Sequence, residues 1–89
     1  MRKLYIDYEM QDGREGKARI LAADKIKFEN AARANGWPIE DGPRALSLML
    51  YASLQRTKAT ESSYEEFISN ELADLSVDQD EPDDPNPTA

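Results

Sequence analysis

The sequence contains no cysteine and no histidine. The absence of cysteine rules out a disulfide framework, and the absence of both rules out a zinc site with Cys and His ligands. A histidine base and a thiol nucleophile are therefore missing as well, so the inventory for catalysis is thin. A chain without disulfides fits a reducing compartment, and we expect a cytoplasmic protein.

Long apolar runs are also absent. No stretch approaches the roughly 20 apolar residues that span a bilayer. Residues 1–7 contain two basic residues and then turn polar, without the apolar stretch of a signal peptide. With 89 residues, the chain has room for one domain with a modest core, and a partner or self-association would add stability. We expect no membrane partner.

The acidic charge is concentrated near one end of the chain. Residues 78–89 contain five of the eighteen acidic residues, three of the five prolines and no basic residue. This stretch is predicted to be a disordered tail, because it has no large apolar side chain whose burial would offset the ordering entropy. The other residues, with thirteen acids and eleven bases, are nearly neutral. Nucleic-acid binders need a basic face, so we expect no nucleic-acid partner, and a local basic patch on the hairpin or first helix is the alternative.

The first segment, residues 3–22, is predicted to form a β-hairpin. Two runs in which apolar and polar residues alternate flank a turn signal at Asp12-Gly13. We expect a loop at residues 11–15 and a bulge at Gly16. The register that keeps both faces consistent and pairs opposite charges is Tyr8 with Ala18, Ile6 with Ile20, Leu4 with Ala22, Glu9 with Lys17 and Asp7 with Arg19.

Three helices are predicted after the hairpin, at about residues 24–35, 43–57 and 63–75. The first has Asp24 at its positive end and stops at Gly36, the second begins at Pro43, and the third opens with the capping box of residues 63–66. We therefore expect an α+β, mainly helical fold. Its single folded domain, residues 1–77, packs the N-terminal β-hairpin on about three α-helices, and the acidic tail 78–89 follows.

A surplus of apolar residues indicates a protein-binding surface. The second helix is apolar around most of its circumference, which is typical of a helix central to a core or lying in an interface. Trp37 lies in a connector, where it either closes the core or anchors an interface. The candidate partner-binding residues are Trp37, Leu46, Met49, Leu50, Tyr51, Leu54, Tyr64 and Phe67. Phosphate-loop and calcium-loop motifs are missing from the sequence. We therefore expect that the chain is not an enzyme and that it has no cofactor and no metal site.

A series of short motifs occurs in order along the chain: Ile6-x-Tyr8 before Asp12-Gly13-Arg14, then Asp24-x-Ile26-x-Phe28-Glu29, Gly36-Trp37, Leu54-Gln55-Arg56 and Tyr64-Glu65-Glu66-Phe67-Ile68. In these motifs and their order, the chain resembles the small tail assembly chaperones of long-tailed bacteriophages and prophages. The resemblance covers about residues 4–75. The second helix departs from the family, because Leu50-Tyr51-Ala52 stands where a Trp-rich, Ala-containing stretch is expected.

The resemblance implies a function that composition does not supply. Such chaperones bind the long, helical tape measure protein and keep it soluble during tail assembly, and this chain is similar to their short form, beside which a longer frameshifted form is often made. The implied partners are the tape measure protein and the tail tube protein. The alternatives are a small phage-encoded regulatory or nucleic-acid-associated protein and a structural tail or connector subunit.

Overall fold

The computed structural model describes residues 3–79 of the chain. In chain order the elements are β1 (Leu4–Met10), β2 (Glu15–Ile20), α1 (Ala22–Asn35), α2 (Pro43–Arg56), the short α3 (Tyr64–Glu66), a π-helical turn (Phe67–Glu71) and β3 (Leu72–Gln79). The helices therefore follow the second strand and precede the third in the sequence. The three strands form one antiparallel sheet in the order β2-β1-β3.

The expected fold class, α+β and mainly helical with only a hairpin as its sheet, is wrong. The helix predicted at residues 63–75 ends at Glu71, and the chain then continues as β3, which pairs antiparallel with β1. The fold is therefore a three-stranded sheet with helices on one face. The disordered tail predicted at 78–89 starts too early, because Asp78 and Gln79 belong to β3. Residues 80–89 lie outside the described residues.

The sequence of β3 satisfies both a helical and a strand pattern. Leu72 and Leu75 continue the three-to-four spacing of the preceding helix, which is why a helix was predicted. Leu75 and Val77 also alternate with polar residues, which is the period of a strand. The strand forms because a two-stranded hairpin leaves the second edge of β1 unpaired, and pairing with β3 satisfies those backbone groups.

The register predicted for the hairpin is wrong by two residues. The structure pairs Ile6 with Ala18, Leu4 with Ile20 and Asp7 with Lys17. The loop is shorter than expected and covers residues 11–14, and the ladder is regular where a bulge was expected at Gly16. A shift of two residues leaves each side chain on the same face of the sheet, so Ile6, Ala18 and Ile20 are buried.

Two local features account for the tighter register. In the loop, the carboxylate of Asp12 accepts a hydrogen bond of 3.0 Å from the backbone N–H of Arg14, and Gly13 has a φ of 95°. This hydrogen bond lowers the pKa of Asp12. On the strands, the ring of Tyr8 lies over Gly16, which has no side chain to displace it. Aromatic residues often cover a cross-strand glycine in this way.

Helices α1 and α2 cover the inner face of the sheet. The first begins at Ala22, two residues before the predicted start, and ends at Gly36, whose φ of 72° is the left-handed geometry that a helix terminator needs. The second runs from Pro43 to Arg56 and supplies much of the core. Ile6 of β1, Leu50 of α2 and Phe67 are fully buried at the centre of this core. None of the helices in residues 3–79 combines the length and the apolarity of a membrane span.

Candidate protein-binding site

The structure divides the eight predicted partner-binding residues between core and surface. Trp37, Leu46 and Tyr64 are partly exposed and pack against the core from outside. The other five are at most 7% exposed and lie within the core: Met49, Leu50, Tyr51, Leu54 and Phe67. The apolar circumference of α2 is therefore used mostly by the fold itself, because β2, α1 and the aromatic residues after α2 pack on different sides of this helix.

A chain of aromatic rings runs from the core to the surface. Tyr51 of α2 packs against Phe67, with ring centroids 5.6 Å apart, and against Tyr64 in an edge-to-face contact at 5.7 Å. Tyr64 in turn contacts Trp37 at 6.3 Å. Rings at these distances stabilise one another beyond the burial of their area. The chain of rings gives the partly exposed Trp37 and Tyr64 a rigid base.

Hydrogen bonds hold the two tyrosines of this cluster in place. The hydroxyl of Tyr64 lies 2.8 Å from the hydroxyl of Ser47 on α2, and the hydroxyl of Tyr51 donates to the carbonyl of Ser62 at 2.8 Å. The guanidinium of Arg44 stacks over the ring of Trp37, 4.3 Å from its centroid. A cation at this distance is attracted to the face of an aromatic ring.

The segment that carries Tyr64 is anchored at both ends. At its start, the hydroxyl of Ser63 accepts a hydrogen bond from the N–H of Glu66, whose carboxylate accepts one from the N–H of Ser63. This is the capping box that the sequence predicts. At its end, Glu71 accepts hydrogen bonds from the hydroxyls of Thr60 and Ser62, and its carbonyl accepts one from the N–H of Gln11.

Between α2, the π-helical turn and β3 lies a groove of about 360 Å³ that opens to solvent. Ile68, Leu72 and Leu75 are partly exposed in it. Arg44 lies on the α2 side and Asp74 on the β3 side, so the rim carries both charges. We call this the α2–β3 groove, and its lining residues are Pro43, Arg44, Ser47, Tyr64, Ile68, Leu72, Ala73, Asp74 and Leu75.

Sequence reasoning identified Tyr64 but missed most of the groove. The sequence pattern predicts a helix that includes Leu72 and Leu75, and this prediction leaves no strand to form a groove with α2. The alternation of apolar and polar residues from Leu75 onward is the sequence signal that indicates β3, the strand side of this groove. To predict that Ile68 lines the groove, one must also know that the helix ends at Glu71, because the turn from there into β3 closes the groove on that side.

Among known proteins, the chain matches no protein-family model, no curated protein and no solved structure. The resemblance to phage tail assembly chaperones therefore rests on the motifs quoted above, and the function that it implies is a proposal.

Proposed function

We propose that this chain is a protein-binding protein that acts as a tail assembly chaperone, and that its α2–β3 groove holds a helical segment of the tape measure protein in the host cytoplasm. The observation that carries this proposal is the set of partly exposed apolar side chains lining the groove, Tyr64, Ile68, Leu72 and Leu75 among them. Such grooves bind amphipathic helices through anchors spaced three and four residues apart.

The groove is suited to a helix because its walls are fixed before a partner arrives. The hydrogen bond between Tyr64 and Ser47 and the edge contact of Tyr64 with Tyr51 hold the aromatic wall in one orientation. A preorganised wall avoids the entropy cost of ordering side chains on binding. Arg44 would orient the helix, because its charge favours an acidic residue on one side of the apolar stripe of the helix.

The experiment is co-expression with a tape measure protein of a long-tailed phage, followed by measurement of the soluble fraction of that protein. The test variant is Ile68→Glu, which places a charge among the groove side chains. The matched control is Ile26→Glu, because Ile26 is 55% exposed on α1 and does not line the groove. We expect Ile68→Glu to lower the soluble, co-purifying tape measure protein by roughly tenfold, the effect of losing an interface anchor, and Ile26→Glu to leave it unchanged.

Two outcomes would contradict the proposal. If the tape measure protein aggregates equally with and without the wild-type chain, the chaperone function is wrong. If both Ile variants retain full activity, the groove is not the binding site. A shift of duplex DNA by the purified chain at physiological salt would instead support the regulatory, nucleic-acid-associated alternative.

A further inference from the structure

The two edges of the sheet differ in how far other parts of the fold cover them. At the β2 edge, the carbonyl of Arg19 accepts a hydrogen bond of 3.0 Å from the hydroxyl of Ser53 and a longer one from Arg56, so the end of α2 covers that edge at Arg19. At the β3 edge, no segment within residues 3–79 pairs with the outer side of the strand. An edge strand without cover presents backbone groups to any other extended chain.

The phase of the ladder shows which residues of β3 present these groups. The N–H of Met10 donates to the carbonyl of Arg14 at 2.7 Å, so the even-numbered residues of β1 bond to β2 and the odd-numbered residues bond to β3. Ser76 and Asp78 lie opposite odd-numbered residues of β1 and direct their backbone groups inward. Leu75 and Val77 therefore direct their N–H and C=O groups away from the sheet, and the N–H of Leu75 donates a hydrogen bond of 2.8 Å to the carboxylate of Asp74.

The side chains along this edge form one apolar row and one acidic row. On the inner face, Leu75 is partly exposed and Val77 is 43% exposed, which is unusual for the covered side of a sheet. On the outer face, Asp74 and Asp78 flank Ser76. Natural edges are commonly protected by lysine or proline, whereas this stretch of strand contains neither.

The outer face of the neighbouring strands extends the acidic row. Asp7 lies opposite Ser76 and Glu9 lies opposite Asp74, and Glu15 of β2 follows beside Glu9. Lys17 lies between two of these carboxylates, 2.6 Å from Asp78 and 3.8 Å from Asp7. Arg19 is the other basic residue on the outer face of the described strands. Acids therefore outnumber bases on this face.

Charge argues against a second copy of the chain as the occupant of the edge. Antiparallel self-pairing that uses both Leu75 and Val77 is centred on Ser76, and it sets Asp74 of each copy opposite Asp78 of the other. Like charges directly opposite one another destabilise a strand pair. Each copy also carries a net charge of −7, which opposes association in general.

We propose that the outer edge of β3 accepts one added strand from a basic partner, an extended segment in which Lys or Arg residues alternate with apolar residues. The C=O of Leu75 and the N–H and C=O of Val77 would supply the hydrogen bonds, the apolar side chains would cover Val77, and the basic side chains would lie beside Asp74 and Asp78. Strand addition of this kind takes its affinity from backbone hydrogen bonds and its specificity from alternate side chains. The proposal goes beyond the tape measure function, which uses side chains of the α2–β3 groove.

The direct test is the binding of a capped peptide containing Lys-Val-Thr-Val-Lys, whose sequence reads the same in both strand directions. Binding is measured by fluorescence anisotropy, and the site by amide hydrogen exchange in NMR spectra of the full chain. We expect slowed exchange at the amide of Val77, with little change at the amides of Ser76 and Asp78, which already bond to β1, or at that of Leu75, which already bonds to Asp74. A peptide with Glu in place of both Lys residues should bind at least roughly tenfold more weakly, because like charges then lie opposite.

The matched variants are Val77→Pro and Val77→Thr. Proline removes the outward N–H without breaking the β1–β3 ladder, whereas threonine keeps the N–H and the shape of the side chain. We expect Val77→Pro to weaken peptide binding by about tenfold and Val77→Thr to change it less than about twofold. Unchanged binding by a folded Val77→Pro variant would overturn the proposal, as would equal binding of the Glu peptide.

Two further results would also overturn it: protection by the peptide of amides other than that of Val77, or a dimer of the peptide-free chain in sedimentation experiments that protects the same amide. The Val77 variants leave the lining of the groove unchanged, because Val77 does not belong to it. The proposed chaperone function is therefore tested separately by Ile68→Glu.

Discussion

The carboxylate of Asp24 accepts two hydrogen bonds from the guanidinium of Arg56, at 3.2 and 2.9 Å, across 32 positions of the chain. Asp24 is only 2% exposed, and the same carboxylate accepts the N–H of Leu21 at 2.8 Å. One buried group thus caps the start of α1 and ties it to the end of α2. The hydrogen bond from Arg56 to Asp24 raises the pKa of Arg56, as the favourable contact requires.

Replacing Arg56 with alanine should destabilise the fold more than removal of an ordinary surface charge. The variant leaves the buried carboxylate of Asp24 without its paired cation. An unpaired buried charge is the main cost of breaking a buried ion pair. Because Arg56 itself is about one-third exposed, we expect a loss of about 2 kcal/mol in the free energy of unfolding, below the range for fully buried pairs. Urea denaturation measures this loss.

The matched control for this prediction is Arg33→Ala, which removes an exposed arginine from the last turn of α1. Its effect should stay within about 0.5 kcal/mol, as for other surface substitutions. Adding Asp24→Asn to Arg56→Ala should cost less than the sum of the two single changes, because the two residues interact directly. Equal losses for Arg56→Ala and Arg33→Ala would show that the pair contributes nothing.

Proline scanning of β3 tests the phase of the ladder. Ser76→Pro removes an N–H that bonds to β1, whereas Val77→Pro removes one that points away from the sheet. We expect Ser76→Pro to lower the free energy of unfolding by about 2 kcal/mol or more and Val77→Pro by less than about 1 kcal/mol. The two variants control each other, and a reversed order of their unfolding midpoints in urea would mean that the ladder has the opposite phase.

The local signals of the sequence predicted the helices better than the sheet. Gly36 marks an end because it adopts the left-handed geometry of a helix terminator, and Pro43 marks a start because its missing N–H costs nothing in the first helical turn. Strand pairing depends instead on partners that are distant in sequence. Nothing within residues 72–79 alone shows that the free edge of β1 is there to pair with.

The predicted register of the hairpin is wrong because the contact that decides it, Tyr8 over Gly16, is not apparent from the alternation of charges. Opposite charges favoured Glu9 opposite Lys17, but the structure pairs Asp7 with Lys17 and leaves Glu9 opposite Glu15. That like-charge pair is tolerated because both residues are exposed next to the loop, where solvent screens them. The contact between the ring of Tyr8 and the backbone of Gly16 stabilises this register by more than the repulsion between Glu9 and Glu15 destabilises it.

Part of the candidate site followed from the sequence and part did not. Tyr64 was identified because a capping box locates its helix and its spacing marks one face. Leu72 and Leu75 depend on the third strand, and the burial of Met49 and Leu50 depends on three surrounding elements packing on α2. An apolar helix alone therefore does not reveal whether its surface is core or interface.

The contact of Lys17 with β3 should be visible in a pH titration. A hydrogen bond to Asp78 and the charge of Asp7 raise the pKa of Lys17 above its ordinary value of 10.5. Because the folded-state pKa is the higher one, the contact stabilises the fold fully below pH 10.5, and this contribution is lost as the pH rises through the folded-state pKa. Carbon-13 NMR of the lysine Cε should give a titration midpoint for Lys17 above 10.5.

The control for this titration is Asp78→Asn, which removes the charge of the partner but keeps its shape. The midpoint of Lys17 should then fall toward 10.5, with a remaining elevation from Asp7. An unchanged midpoint would show that β3 does not bring Asp78 to Lys17 in solution. The same variant should weaken binding of the basic peptide to the β3 edge, because it removes one of the acidic side chains beside the added strand.

The pairing of Tyr8 with Gly16 separates the observed register from the one predicted from the sequence. A Cβ at Gly16 would lie 2.5 Å from Oη and 2.6 Å from Cζ of Tyr8, so Gly16→Ala must displace the ring and should cost about 1 kcal/mol in urea denaturation. In a Tyr8→Leu background the same change should be neutral or stabilising by about 0.5 kcal/mol, because alanine restricts the unfolded chain more than glycine does. In the predicted register Tyr8 would face Ala18, and Gly16→Ala would be tolerated in both backgrounds. A double-mutant cycle with no coupling between the two positions would therefore contradict the observed pairing.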